Sequence, residues 1–212
     1  MYLQRQSGSK CRMHSINNLV GREVVDESKF NDIRDEFGRR FGCTDVVKSN
    51  LTTFNLYGEH VPLYAIRKLF EFPSYTLHPS RRDAELKSIG LKFGDVESPL
   101  AITWDCGHIW AMRRLNGVWH SFDSRVGRPS KCALPMHLPI SFVYAKSGQC
   151  ATLVNALRKK VATLPAHMFF NLLNLVCGFG RKDANELRAL AIPYARNART
   201  FPAIRARLMK RV

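Results

Sequence analysis

Residues 107–124 read GHIWAMRRLNGVWHSFDS, and the fold turns on how this stretch pairs with itself. Two short runs rich in aromatic and apolar residues flank Asn116-Gly117, the strongest short-range signal for a hairpin closed by a two-residue type I′ loop. That loop sets Leu115 opposite Val118 and, counting outwards, Trp110 opposite Asp123. His108 lies two residues before Trp110 and so shares a face of the sheet with Asp123, diagonally across the ladder. Diagonal neighbours are about 7–8 Å apart at their backbones, within reach of an imidazole and a carboxylate. The register alone predicts a His108–Asp123 pair.

Working outwards, "SYTLH", "PLAITW" and "ISFVYAK" have the same strand-like character and are bounded by turn residues. The N-terminal side reads differently. Ser9 is an expected N-cap for a helix over 10–20 that turns Met13, Ile16, Leu19 and Val20 inward. Asp26 is expected to cap a second helix carrying Phe30, Ile33 and Phe37 on one face. Residues 38–60 read as a loop or short helical arm, and Pro62 opens a third helix, "VPLYAIRKLF". Helices followed by an antiparallel meander predict an α+β domain over residues 1–150. Residues 151–212 read as a helical extension in pieces, with Leu153, Leu157, Val161 and Leu164 spaced as a packing face.

Cys11 falls where a polar, glycine-containing loop gives way to the first helix. Unpaired N–H groups and the positive end of a helix dipole favour thiolate, the form that attacks a carbonyl carbon. Such a nucleophile needs a base and a group to hold that base, and His108 with Asp123 supplies both. Gln6, just upstream, is a candidate donor to the oxyanion of a tetrahedral intermediate, with the Cys11 N–H beside it. His14, one turn after Cys11, is read as a packing residue, and Asn17 and Asn18 as hydrogen-bonding partners of nearby loops. Trp104 and Trp110 are read as core residues, with Trp110, beside the base, also able to wall a substrate channel. Cys106-x-His108 and Cys132-x4-His137 lack the close cysteine pairs of a zinc site. No cofactor or metal is expected.

The pattern Q-x4-C-x2-H-x2-N-N-L, met by Gln6, Cys11, His14, Asn17, Asn18 and Leu19, resembles the signature of the Josephin cysteine proteases. His108 ahead of a hydrophobic strand, with Trp119-x3-Asp123 on the hairpin return, resembles that family's second motif. The resemblance spans about residues 4–148 and is densest at 6–19 and 108–124. It implies a papain-like architecture, N-terminal helices packed on a twisted antiparallel sheet. It also implies deubiquitinase activity with Cys11 as nucleophile, His108 as general base, Asp123 as its orienter and Gln6 as oxyanion donor. The implied partner is ubiquitin or a ubiquitin-like modifier, cleaved after its terminal glycine at an isopeptide bond. The chain departs from the family over 38–60, where Josephins carry a helical hairpin that grips ubiquitin, and its basic tail has no evident counterpart there.

Charge and cysteine usage point to further roles. Residues 1–150 carry 21 Lys/Arg against 15 Asp/Glu, and residues 151–212 carry 12 against 2, so the tail holds more than half of the net +16. A segment this basic attracts phosphate, which makes nucleic acid or an anionic membrane surface candidate partners of residues 151–212. No apolar run has the roughly 18 residues of a membrane span, and the start of the chain lacks an apolar signal core. Six unpaired-looking cysteines then place the protein in a reducing compartment, the cytoplasm or nucleus, of its own cell or of a host. Two other readings follow from the same residues: a papain-like protease acting on a polyprotein or double-glycine substrate, or a binding protein working through its basic tail.

Overall fold

Asn116 and Gly117 both have positive φ, 50° and 80°, as a type I′ loop requires. They sit in a computed structural model that describes residues 1–6, 8, 10–41, 60–88 and 90–145. Along the chain come α1 (Cys11–Val20), α2 (Glu27–Phe41), α3 (His60–Phe70), β1 (Ser74–Leu77), α4 (Arg82–Ser88), α5 (Phe93–Val96), β2 (Leu100–Asp105), β3 (His108–Leu115), β4 (Val118–Phe122), β5 (Ser130–Lys131) and β6 (Ile140–Val143). The architecture is α+β, with the strands in one antiparallel sheet ordered β1-β6-β2-β3-β4-β5.

The hairpin register is the one the sequence predicts: Leu115 faces Val118, and the ladder runs back to Ala111 opposite Phe122. A second two-residue turn, Cys106-Gly107, joins β2 to β3 with Asp105 opposite His108. Its residues also have positive φ, 44° and 80°. Cysteine is an unusual occupant of that conformation, so this turn is not announced by its composition. His108 thus begins its strand directly after a tight reversal.

The sheet is not the simple meander expected. Strands β2 to β5 follow one another, but β6 inserts between β1 and β2. All four β6 residues are buried, as are all four of the edge strand β1 beside it. Across the β1–β6 pair, Thr76 Oγ1 and Ser141 Oγ lie 2.6 Å apart in facing positions, so the buried hydroxyls satisfy each other. Helices α4 and α5 are too short to leave a periodic apolar stripe, and the sequence reading passes over them.

Helix α1 lies against β3 and also touches α3, which packs on α2. Met13, Ile16 and Leu19 are buried, while Val20 is partly exposed. Full burial of each such side chain stabilises the fold by about 1.5–3 kcal/mol. The helix begins one residue later than predicted: Lys10 occupies the N-cap position and makes no side-chain cap. Ser9, the expected N-cap, lies outside the described residues. Asp26 does cap α2, its Oδ1 accepting from the Lys29 N–H at 2.8 Å. Ile33 and Phe37 of α2 are buried, and the Phe37 ring meets Tyr64 of α3 edge-on at 5.3 Å.

Helix α1 ends at Gly21, whose φ of 81° gives a left-handed cap. A Cβ there would meet Arg113 Nη1 at 2.7 Å, the movable end of a long side chain, so it is the left-handed backbone that favours glycine. The Arg113 guanidinium is in turn placed over the Phe122 ring, 4.9 Å from its centroid.

Asn17 is fully buried and ties three segments together. Its Oδ1 accepts from the N–H groups of Val24 and Val25, both at 3.0 Å, and its Nδ2 donates to Val25 O and to Gln4 Oε1. Among the described residues no helix is long and apolar enough to cross a membrane. Of the arm expected over 38–60, residues 38–41 end α2 and His60 begins α3. The rest of it, the cysteines at 43, 150 and 177, read from the sequence as plain core or surface thiols, and the extension over 151–212 lie outside the described residues. Replacing Asn17 with Ala leaves at least two backbone donors without partners, at about 1–3 kcal/mol for each buried group. Asn17→Ala is expected to lower the free energy of unfolding by about 3 kcal/mol, read as a shift in the urea midpoint at unchanged slope.

Candidate active site

Cys11 is the first residue of α1 and is buried against β3. At this position it sits in the positive field of the helix N-terminus, where N–H groups lack intrahelical acceptors. The backbone N–H of Ile109, the second residue of β3, also favours its thiolate. Burial alone would raise the thiol's pKa. The His108 imidazole, the Ile109 N–H and the positive charge of Arg12 together outweigh burial, and the thiol lies below its ordinary value.

His108 Nε2 and Asp123 Oδ1 are 2.7 Å apart, with the imidazole buried and the carboxylate partly so. Asp123 directly follows β4, whose ladder with β3 ends at Ala111 opposite Phe122. Its Oδ1 also accepts from the Arg125 N–H at 2.9 Å, and its own carbonyl accepts from Val126 N–H at 3.0 Å. The carboxylate is thereby fixed by the turn that follows it. Burial opposes ionisation of Asp123, but the His108 and Arg125 hydrogen bonds exceed it and hold the carboxyl below its usual range. Burial likewise opposes the His108 imidazolium, and the bond to Asp123 with the Cys11 sulfur nearby overrides it and raises the proton affinity.

With Nε2 committed to Asp123, Nδ1 is the nitrogen left for Cys11. It closes no hydrogen bond of conventional geometry in the free protein. Sulfur and imidazole still shift each other's proton affinity in opposite senses, thiol down and imidazole up. Such contacts commonly tighten only when substrate is bound. The Trp110 ring stacks on the imidazole at 5.5 Å and 21°, covering one of its faces.

Gln6 lies on an N-terminal strap bound at two points. The Gln4 N–H donates to Asn18 Oδ1 at 2.6 Å, and the Gln6 N–H donates to Ser124 O at 2.8 Å. Asn18, fully buried, also donates Nδ2 to Gln4 O and to Phe122 O, so one amide joins strap, helix and the strand end before Asp123. Asn17 and Asn18 therefore bond to neighbouring segments, as the sequence reading expects. His14 is buried, as expected of a packing residue, and neither ring nitrogen has a hydrogen-bond partner.

The structure thus brings Cys11, His108 and Asp123 together and ties the Gln6 strap to the residue after Asp123. The sequence reading passes over the Ile109 N–H, the Gln4 anchor and Ser124. Backbone donors leave no trace in residue type, and a serine following an aspartate is too common to single out. Among the described residues, no cluster of three or more His, Cys, Asp or Glu side chains is arranged to hold a metal ion. No protein-family model matches the chain, and no curated protein matches its sequence.

Two outcomes follow from these proton affinities. Alkylation of Cys11 by iodoacetamide is expected to persist to lower pH than for an ordinary thiol. In His108→Ala the rate profile moves to higher pH, because the largest lowering influence is gone. The second concerns His14, whose proton affinity is depressed by burial and then by Lys10. The unfolded chain then binds a proton more readily than the native one as pH falls below the ordinary histidine value of 6.5. Wild type should lose stability relative to His14→Leu from that point downward, and the difference should be flat above it, as read by urea unfolding at a series of pH values.

Proposed function

We propose that the chain is a thiol hydrolase of papain-like, Josephin-like architecture, a cysteine-type peptidase that cleaves isopeptide bonds after the terminal glycine of ubiquitin or a ubiquitin-like modifier. The observation that carries the chemistry is the 2.7 Å His108–Asp123 pair set beside a buried thiol at a helix start. The substrate rests on the resemblance of Gln6, Cys11, His14, Asn17, Asn18 and Leu19 to the Josephin signature.

In this reading the Cys11 thiolate attacks the carbonyl carbon of the scissile bond. The C=O electron pair moves onto oxygen, held by the Cys11 N–H and the Gln6 Nε2–H. As the tetrahedral species collapses, the imidazolium gives its Nδ1 proton to the departing lysine amine and leaves a thioester on sulfur. His108 then takes a proton from water, hydroxide adds to the thioester, and the second tetrahedral species expels Cys11 as thiolate with a free carboxylate as the other product. Asp123 accepts the Nε2–H throughout. It fixes the tautomer and stabilises the imidazolium without itself taking the proton. A narrow passage over the sulfur suits glycine, which has no side chain to place there.

A ubiquitin probe with a C-terminal propargyl group is expected to label wild type and not Cys11→Ala. With a hydrolysable ubiquitin conjugate, Gln6→Ala should lower kcat by about 10²–10³. A folded wild type that resists the probe, yet keeps the low-pH alkylation profile of Cys11, removes ubiquitin as substrate and leaves the thiol chemistry. A peptide-library cleavage profile then tests the polyprotein or double-glycine alternative.

A further inference from the structure

The mechanism leaves unused the hydroxyl of Ser124, a residue almost wholly buried at 3% exposure. It donates to Gln6 Oε1 at 2.9 Å, and the Ser124 carbonyl accepts the Gln6 N–H at 2.8 Å. One residue therefore grips glutamine at both backbone and side chain, across a sequence separation of 118. The next residue back in the chain is Asp123, which holds the base.

A carboxamide has one oxygen that accepts and one nitrogen that donates two hydrogens. It can rotate by half a turn at little cost in shape, exchanging the two ends. An oxyanion donor must not do this, because an oxygen turned toward the developing negative charge would repel it. In the arrangement found, the serine hydroxyl donates its single hydrogen to Oε1 and anchors the carboxamide; a turned amide would have to spend an Nε2–H on the same Oγ, a hydrogen then lost to a ligand. Gln6 Nε2 makes no hydrogen bond among the described residues, so its hydrogens remain available to a ligand. The peptide bond between Asp123 and Ser124 thus links the orientation of the base to that of the oxyanion donor.

We propose that Ser124 is a positioning residue that locks the Gln6 carboxamide with its Nε2–H edge presented to substrate, by donating its hydroxyl to Gln6 Oε1. The catalytic consequence rests on the thiol-hydrolase reading above, whereas the locking does not. Locking is read in the free protein by 15N relaxation of the Gln6 side-chain amide. It should be ordered in wild type and in Ser124→Thr, and markedly more mobile in Ser124→Ala. An amide equally ordered in Ser124→Ala, or equally mobile in wild type, overturns the proposal whether or not the protein is a hydrolase.

For the reaction, Ser124→Ala is expected to lower kcat on a ubiquitin conjugate by about tenfold, less than outright loss of an oxyanion donor, with KM unchanged and Ser124→Thr near wild type. The same change made in Gln6→Ala should cost nothing further, since its effect passes through the amide. A loss of equal size in both backgrounds would mean that Ser124 acts on the fold or on Asp123, and would overturn the assignment. If wild type shows no hydrolysis at all, the reading of function fails while the relaxation result still decides the lock.

Discussion

The spacing between the two strands of one hairpin governs everything at the candidate site. Backbone hydrogen bonds and the pleat allow His108 to meet Asp123 only if Leu115 stands opposite Val118. A slip of one residue would turn one partner to the opposite face of the sheet. The positive φ values of Asn116 and Gly117 hold the register, because a type I′ loop matches the twist of the strands it joins. The second tight turn, at Cys106-Gly107, places His108 at the start of its strand. The imidazole is therefore set by local backbone geometry at one end and by pairing at the other.

Buried amides carry that order to the rest of the site. Asn17 and Asn18 sit on α1 with no exposed surface and bind the strap at Gln4, the chain at Val24–Val25 and the end of β4. Each satisfies backbone groups that would otherwise be buried without partners, a large cost beside the net stability of a domain. Apolar side chains of similar size could fill the same space, but they would give the strap no fixed position along the helix. Specific placement of Gln4 to Gln6 is what these polar groups add.

How much of this could be read from the chain alone follows from the range of each signal. The Asn116-Gly117 loop depends on two residues and their immediate flanks, so the hairpin, and with it the His108–Asp123 pair, is legible. Met13, Ile16 and Leu19 mark a buried helical face by spacing, and Asp26 marks a cap by chemistry. The place of β6 between β1 and β2 depends on pairings 63–69 residues apart with β1 and 37–43 apart with β2, which no local pattern records. Lys10 stands in the N-cap position without capping anything, so the start of α1 is fixed by docking on β3 and not by its own sequence. The grip of Ser124 on Gln6 spans nearly the whole described chain and becomes visible only when both ends are in place.

That separation has a temporal side. Cys11 leaves the ribosome early, while the strand bearing His108 and the acid at 123 follow about a hundred residues later. Until β3 and β4 have paired and α1 has settled on them, the sulfur lacks both the imidazole and the Ile109 N–H that lower its proton affinity. A growing or partly folded chain therefore carries an ordinary, mostly protonated thiol. The lowered proton affinity of the sulfur thus arrives only with the last long-range contacts.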